Sequence, residues 1–270
     1  LSTTENWSQT LMVDDILLPY RQQVLNDEPV ELFEGLTLYP VKMRDYITFN
    51  VCSSILRMNK NATNDPKVIS MSYLDYILYL AQKDEEEKEP GRPNLTELFL
   101  QELFLLVTNK DGMSFGYGVD EKKKSFIEID GVRLYKKEFE KFRKFVLCQN
   151  IPDYKEEYIN PELAEDLKKA DELRNRGKTP SDIEKQEMAV VIGSSLTLED
   201  VKNMTIRKFD IALELIDKKL HYTIAKQASL SGFVEFKQEI THYLIEDNIG
   251  IEDSVIDYSQ FKDKLNSANK

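Results

Sequence analysis

The chain is poor in the residues that usually announce chemistry or unusual architecture. Of 270 residues, two are cysteine, two histidine, ten glycine and nine proline. So few glycines and prolines, with 41 % hydrophobic residues, exclude a collagen-like, low-complexity or disordered chain. Cys52 and Cys148 both sit in apolar helical patterns, Phe49-Asn50-Val51-Cys52 and Phe145-Val146-Leu147-Cys148. That context points to buried free thiols rather than a disulfide framework. His221 and His242 stand beside Tyr222 and Tyr243, far short of the three or four clustered ligands of a zinc site. They read as structural or surface histidines. The most apolar run, Leu95 to Val107, is broken by Thr96, Glu97, Gln101 and Glu102, too short and polar to span a bilayer. The first fifteen residues lack a basic segment followed by an apolar one. The start at Leu rather than Met reads as a trimmed or processed chain, and a soluble, intracellular protein is expected.

Phosphate-binding and nucleophile motifs are missing as well. There is no Walker A loop, no Gly-x-Gly-x-x-Gly, no Gly-x-Ser-x-Gly and no calcium-binding Asp-x-Asp-x-Asp-Gly loop. Gly116-Tyr117-Gly118 lacks a third glycine and a helix start, and reads as a flexible hairpin tip. No catalytic residue, metal ligand or cofactor is expected, and the chain is read as a non-enzyme.

Carboxylates, in contrast, are abundant. Forty-eight Asp and Glu against 36 Lys and Arg leave a net charge of −12. Such a surface repels phosphates, which argues against a general nucleic-acid binder and against attachment to an anionic membrane. The acid groups at Asp14-Asp15, Asp84 to Glu89 and Glu246-Asp247 read as solvated surface.

Patterning predicts a mostly α-helical α+β protein, with a small antiparallel β section among helices and a C-terminal helical region. Residues 1–30 read as a polar arm with a short helix near Asp14 to Val24. Residues 31–150 read as an α+β domain, 151–245 as a helical region, and 246–270 as an acidic, polar tail. Leu36-Thr37-Leu38-Tyr39 alternates and stops at Pro40, as a short edge strand does. Helical spacing marks Asp45 to Leu56, then a helix capped by Ser70 carrying Tyr73, Leu74, Ile77, Leu78 and Ala81. The run Asp84 to Gly91 is expected to end that helix in a solvated loop. Asn94 or Thr96 caps the next helix. Asp130-Gly131 between Ser125–Ile129 and Val132–Tyr135 is a strong hairpin signal, because a two-residue turn needs positive φ. A helix then runs to about Asn150. Pro161 opens a charge-rich connector that Arg174 to Lys178 closes. Ser181 starts a helix ending at Gly193. Thr197-Leu198-Glu199-Asp200 fits a capping box at the head of a helical hairpin spanning 197–220.

Several stretches together resemble structural and assembly proteins of the tail modules of bacteriophages of Gram-positive hosts, tail assembly chaperones among them. The carrying residues are Leu38 to Tyr46, Ile69 to Leu74, Ile127 to Asn150, Asn160 to Leu163, Leu198 to Leu220 and Ser229 to Lys237, short stretches spread in order between residues 38 and 237. The resemblance implies a non-enzymatic role in tail morphogenesis, in the host cytoplasm during assembly or retained in the virion. It implies as partners other tail proteins, a long coiled-coil tape measure protein among them, or further copies of the chain. The expected contact surface is Phe233, Phe236 and Tyr243, supported by the helix face of Phe209, Leu213, Ile216 and Leu220; the same aromatics would serve equally as core. Two other readings stand beside this one: a DNA-binding regulator using the 197–220 hairpin, and an enzyme whose site is assembled from dispersed carboxylates and tyrosines.

Overall fold

In the computed structural model, the described residues are 16–60, 65–152, 154, 182–231 and 240–245. The first fifteen residues, the connector helix at Pro161, Phe233, Phe236 and the tail from 246 lie outside them. The chain forms two compact units, Leu1–Leu213 and Glu214–Lys270. The class is α+β and mostly helical, as the patterning predicts.

The first unit opens with a short helix α1 (Arg21–Leu25) and a hairpin, β1 (Val30–Phe33) and β2 (Leu36–Leu38). Val30 pairs with Leu38, and Gly35 turns the chain at φ +81°. Val30, Leu32, Leu36 and Leu38 are buried, so the hairpin presents one apolar face inward. The partner strand β1 begins within the stretch read as a polar arm. Its Val-x-Leu alternation covers only four residues, too few to stand out from an acidic surround.

Helices α2 (Tyr46–Cys52) and α3 (Ser54–Arg57) follow, then α4 (Pro66–Ser70). Ser70 therefore ends a helix instead of capping one. The cap of α5 (Tyr73–Glu87) is Ser72, whose hydroxyl accepts from the Asp75 N–H at 3.1 Å. The acidic run is not a loop either, since α5 continues through Glu87. Asp84 accepts from the Thr96 N–H at 2.9 Å and from its hydroxyl, so this carboxylate of one helix binds the start of the next. Asn94 caps α6 (Leu95–Thr108) through the Glu97 N–H, and its amide donates to Ala81 O at 2.7 Å.

A three-stranded antiparallel sheet comes next, in the order β3 (Phe115–Val119), β4 (Ser125–Ile129), β5 (Val132–Leu134). Gly116 and Gly118 are interior residues of β3, paired with Glu128 and Phe126. The hairpin tip lies further on, at 120–124. The Asp130-Gly131 turn joins β4 to β5 with φ of +49° and +82°. Helix α7 (Lys136–Asn150) packs on this sheet and on α5. Phe104, Phe139, Phe142 and Phe145 are fully buried in the core. Cys52 and Cys148 are buried and free, as the apolar context predicts.

The last segment of the first unit is α8 (Ile183–Gly193), α9 (Leu198–Asn203) and the start of α10 (Ile206–Leu230). A domain boundary near 150 does not describe it. Met43 N donates to Met204 O and Ile206 N to Val41 O, both at 2.9 Å, bridging 41–43 to 204–206. Val41 N donates to Asn150 Oδ1 at 2.8 Å, and Arg207 to Cys148 O at 2.8 Å. Lys208 pairs with Asp27 at 2.7 Å. Apart from Arg207 to Cys148, these contacts join residues more than a hundred positions apart, which no local pattern can reveal.

Candidate functional site

Helix α10 carries four of the residues expected to contact a partner. It opens where Thr205 ends the α9 hairpin, and it runs ten residues past the expected end at 220. Phe209 is fully buried, so it anchors the helix in the first unit and has no surface to offer a partner. Leu213 and Ile216 are half-buried, whereas Leu220 is 56 % exposed. Ile224, also 56 % exposed, extends the same line, and Leu230 lies 86 % exposed at the helix end. Sequence reading stopped at Leu220 and missed Ile224, although its i+4 spacing from Leu220 was the available signal.

At about 100° per residue, Leu213, Ile216, Leu220 and Ile224 fall within an arc of about 80°. Tyr222 lies about 200° from Leu220, on the other side of the helix. Tyr243 joins that other side. Its ring is 5.8 Å from Tyr222 and 4.5 Å from His242, and His242 is 5.1 Å from Tyr222. The Lys226 ammonium sits 5.7 Å from the Tyr222 centroid. Tyr243 and Leu220 therefore belong to different faces of α10 and do not form one patch. Phe233 and Phe236 lie outside the described residues.

Charges border the apolar line. Half-buried Lys218 pairs with exposed Glu214 at 2.5 Å, and exposed His221 lies 3.5 Å from exposed Asp217, each pair one turn apart. Asp210, a turn before Leu213, differs from these surface acids. Burial pushes its carboxyl up to about 6.

Other features that carry chemistry are sparse. Among the described residues, no group of three or more His, Cys, Asp or Glu side chains is arranged to hold a metal. Among the same residues, no helix is long and apolar enough to cross a membrane. Comparison with protein-family profiles, curated proteins and solved structures returned no match to this chain.

Proposed function

We propose that this protein is a non-enzymatic component of phage tail morphogenesis that binds a helical segment of another tail protein along α10. The observation that carries the reading is the line Leu213, Ile216, Leu220 and Ile224, whose outer half is left in water by the described residues. Apolar side chains recurring at i, i+3, i+4 on one helix are the pattern by which a second amphipathic helix is received. Each Leu or Ile gains about 1.5–3 kcal/mol on moving from full exposure to full burial. Leu220 and Ile224 are already near half-covered and would add only part of that each. A stable complex then needs a long partner helix in contact with the whole line, which suits a long coiled-coil tail protein.

The acidic surface fits such a role in a second way. A net charge of −12 keeps the free chain soluble and speeds encounter with basic segments of a partner. The decisive experiment is co-expression with the products of neighbouring genes, read by size-exclusion chromatography with light scattering. Co-elution of the chain with a long helical tail protein, lost in the double variant Leu220→Asp, Ile224→Asp, is the expected result. Both positions are exposed, and an unchanged circular dichroism spectrum of the variant checks the fold. A monomer that ignores every neighbour, or a complex indifferent to the double variant, overturns the proposal.

A further inference from the structure

A cleft of about 710 Å³ lies where the β3–β4 turn meets the start of α7, on the first unit. Its volume falls within the range of about 300–1,000 Å³ typical of small-ligand sites. The lining reverses the charge of the rest of the chain. Lys122 and Lys124 enter from the turn, and Lys136 and Lys137 from the first turn of α7, against two carboxylates, Asp120 and Glu138.

Most of the negative charge near the cleft is already engaged. Asp120 accepts from the Lys122 and Lys124 N–H groups at 2.9 and 2.8 Å. Those bonds, Lys124 first, hold its carboxyl below the ordinary range. They also fix the turn, which closes through Lys123 N donating to Asp120 O at 2.9 Å with Lys123 at φ +59°. Lys136 is committed to Asp75 at 2.6 Å. Lys122, Lys124 and Lys137, in contrast, form no salt bridge among the described residues, although the Lys124 charge helps to lower the Asp120 carboxyl. Three ammonium groups outside any salt bridge among the described residues thus line one cleft, with Asp120 and Glu138 beside them, in a chain of net charge −12. Mutual repulsion of these three is relieved by a multivalent anion. The adjoining end of α7 reinforces the same sign. Tyr135 gives no side-chain bond to the first-turn N–H groups, and the positive end of the helix dipole adds to the lysines.

We infer that this cleft binds a small ligand carrying a diphosphate group, held by Lys122 and Lys124 on the turn and Lys137 on α7. A diphosphate carries more negative charge and more acceptor oxygens than a single phosphate, so it can accept from more of these ammonium groups at once. Asp120, whose hydrogen bonds keep it ionised, and Glu138 both oppose it, and they weaken rather than prevent binding.

The test is isothermal titration calorimetry of the full chain with inorganic pyrophosphate, and separately with inorganic phosphate, at low salt. The expected result is saturable binding of one pyrophosphate per chain, with phosphate weaker by about tenfold. The double variant Lys122→Ala, Lys137→Ala should weaken pyrophosphate by at least about tenfold, while Lys218→Ala on α10 leaves it unchanged. Lys122 and Lys137 are exposed and Lys218 is half-buried, and an unchanged circular dichroism spectrum checks the fold. Glu138→Gln keeps every lysine and should tighten binding. Absence of saturable pyrophosphate binding, equal affinity for phosphate, or equal loss in Lys218→Ala overturns the inference.

Discussion

Three side chains in the first unit behave in ways their residue types alone do not suggest. Arg143 is almost fully buried, yet its guanidinium donates to Leu56 O at 2.8 Å, pairs with Glu140 at 3.3 Å and stacks 3.5 Å from the Tyr73 centroid. Its charge is thus matched on several sides, as a buried arginine requires. Gln149 is the reverse case, with neither amide atom hydrogen-bonded although both are buried. An unmet buried polar group costs about 1–3 kcal/mol, so Gln149→Met should stabilise the protein by about 1 kcal/mol in chemical denaturation. Unchanged or lowered stability would count against it. Asp210 sets a pH dependence. Its carboxyl titrates near 6 when folded and near 3.8 when unfolded. Between those values the folded state holds a proton that the unfolded state has lost, so this group adds stability as pH falls from 7 to 5. Asp210→Asn should therefore raise the thermal midpoint at pH 7, and its advantage should shrink by pH 5. An advantage that is constant across that range would refute the assignment. Asp130 and Asp200 have the opposite sign. Lys110 and Thr197, respectively, hold their carboxyls below the ordinary range, and their contribution is lost as pH falls below about 4. No local pattern marks Asp210, because burial of one acid on a helix is decided by what packs against it.

At the scale of single elements, local chemistry was legible wherever a side chain acts on its own neighbours. The Thr197–Asp200 capping box forms with both reciprocal bonds, Asp200 N to Thr197 Oγ1 at 3.2 Å and Thr197 N to Asp200 at 2.9 Å. Thr197→Ala should cost about 1 kcal/mol. The Asp130-Gly131 turn was equally readable, because positive φ at both residues is a local demand. Gly131→Ala should cost about 1–2 kcal/mol, since a Cβ at φ +82° is strained even where space is open. Denaturation midpoints of the two variants check both figures, and a loss below a few tenths of a kcal/mol would remove the argument. The failures have a common cause. Gly116 and Gly118 looked like a tip because glycine disfavours strands, yet pairing with Phe126 and Glu128 overrides that preference. The acidic end of α5 looked like solvent, yet Asp84 is drawn to the N-terminus of α6. In each case a non-local partner outweighs the intrinsic tendency.

For the whole molecule, the division at Leu213 has an energetic consequence. Every buried hydrophobic side chain among the described residues belongs to the first unit, ending with Phe209. Past that point α10 carries half-buried and exposed positions, with a Lys218–Glu214 ion pair at i,i+4 spacing that is worth only about 0.3–0.5 kcal/mol. A helix stabilised so weakly opens locally at far lower free energy than the core does. Hydrogen exchange should therefore separate the two units. Amides of α10 beyond residue 214 should exchange at least about a hundredfold faster than those in the middle of α6 and α7. If α10 is the docking helix, a bound partner should slow its amides selectively while leaving α6 and α7 as they were, because the stabilisation enters where apolar surface is newly covered. Uniform protection along both units in the free chain would mean that α10 is already held by the rest of the protein. The apolar line at Leu220 and Ile224 would then be surface without a task, and the proposed docking would lose its physical basis.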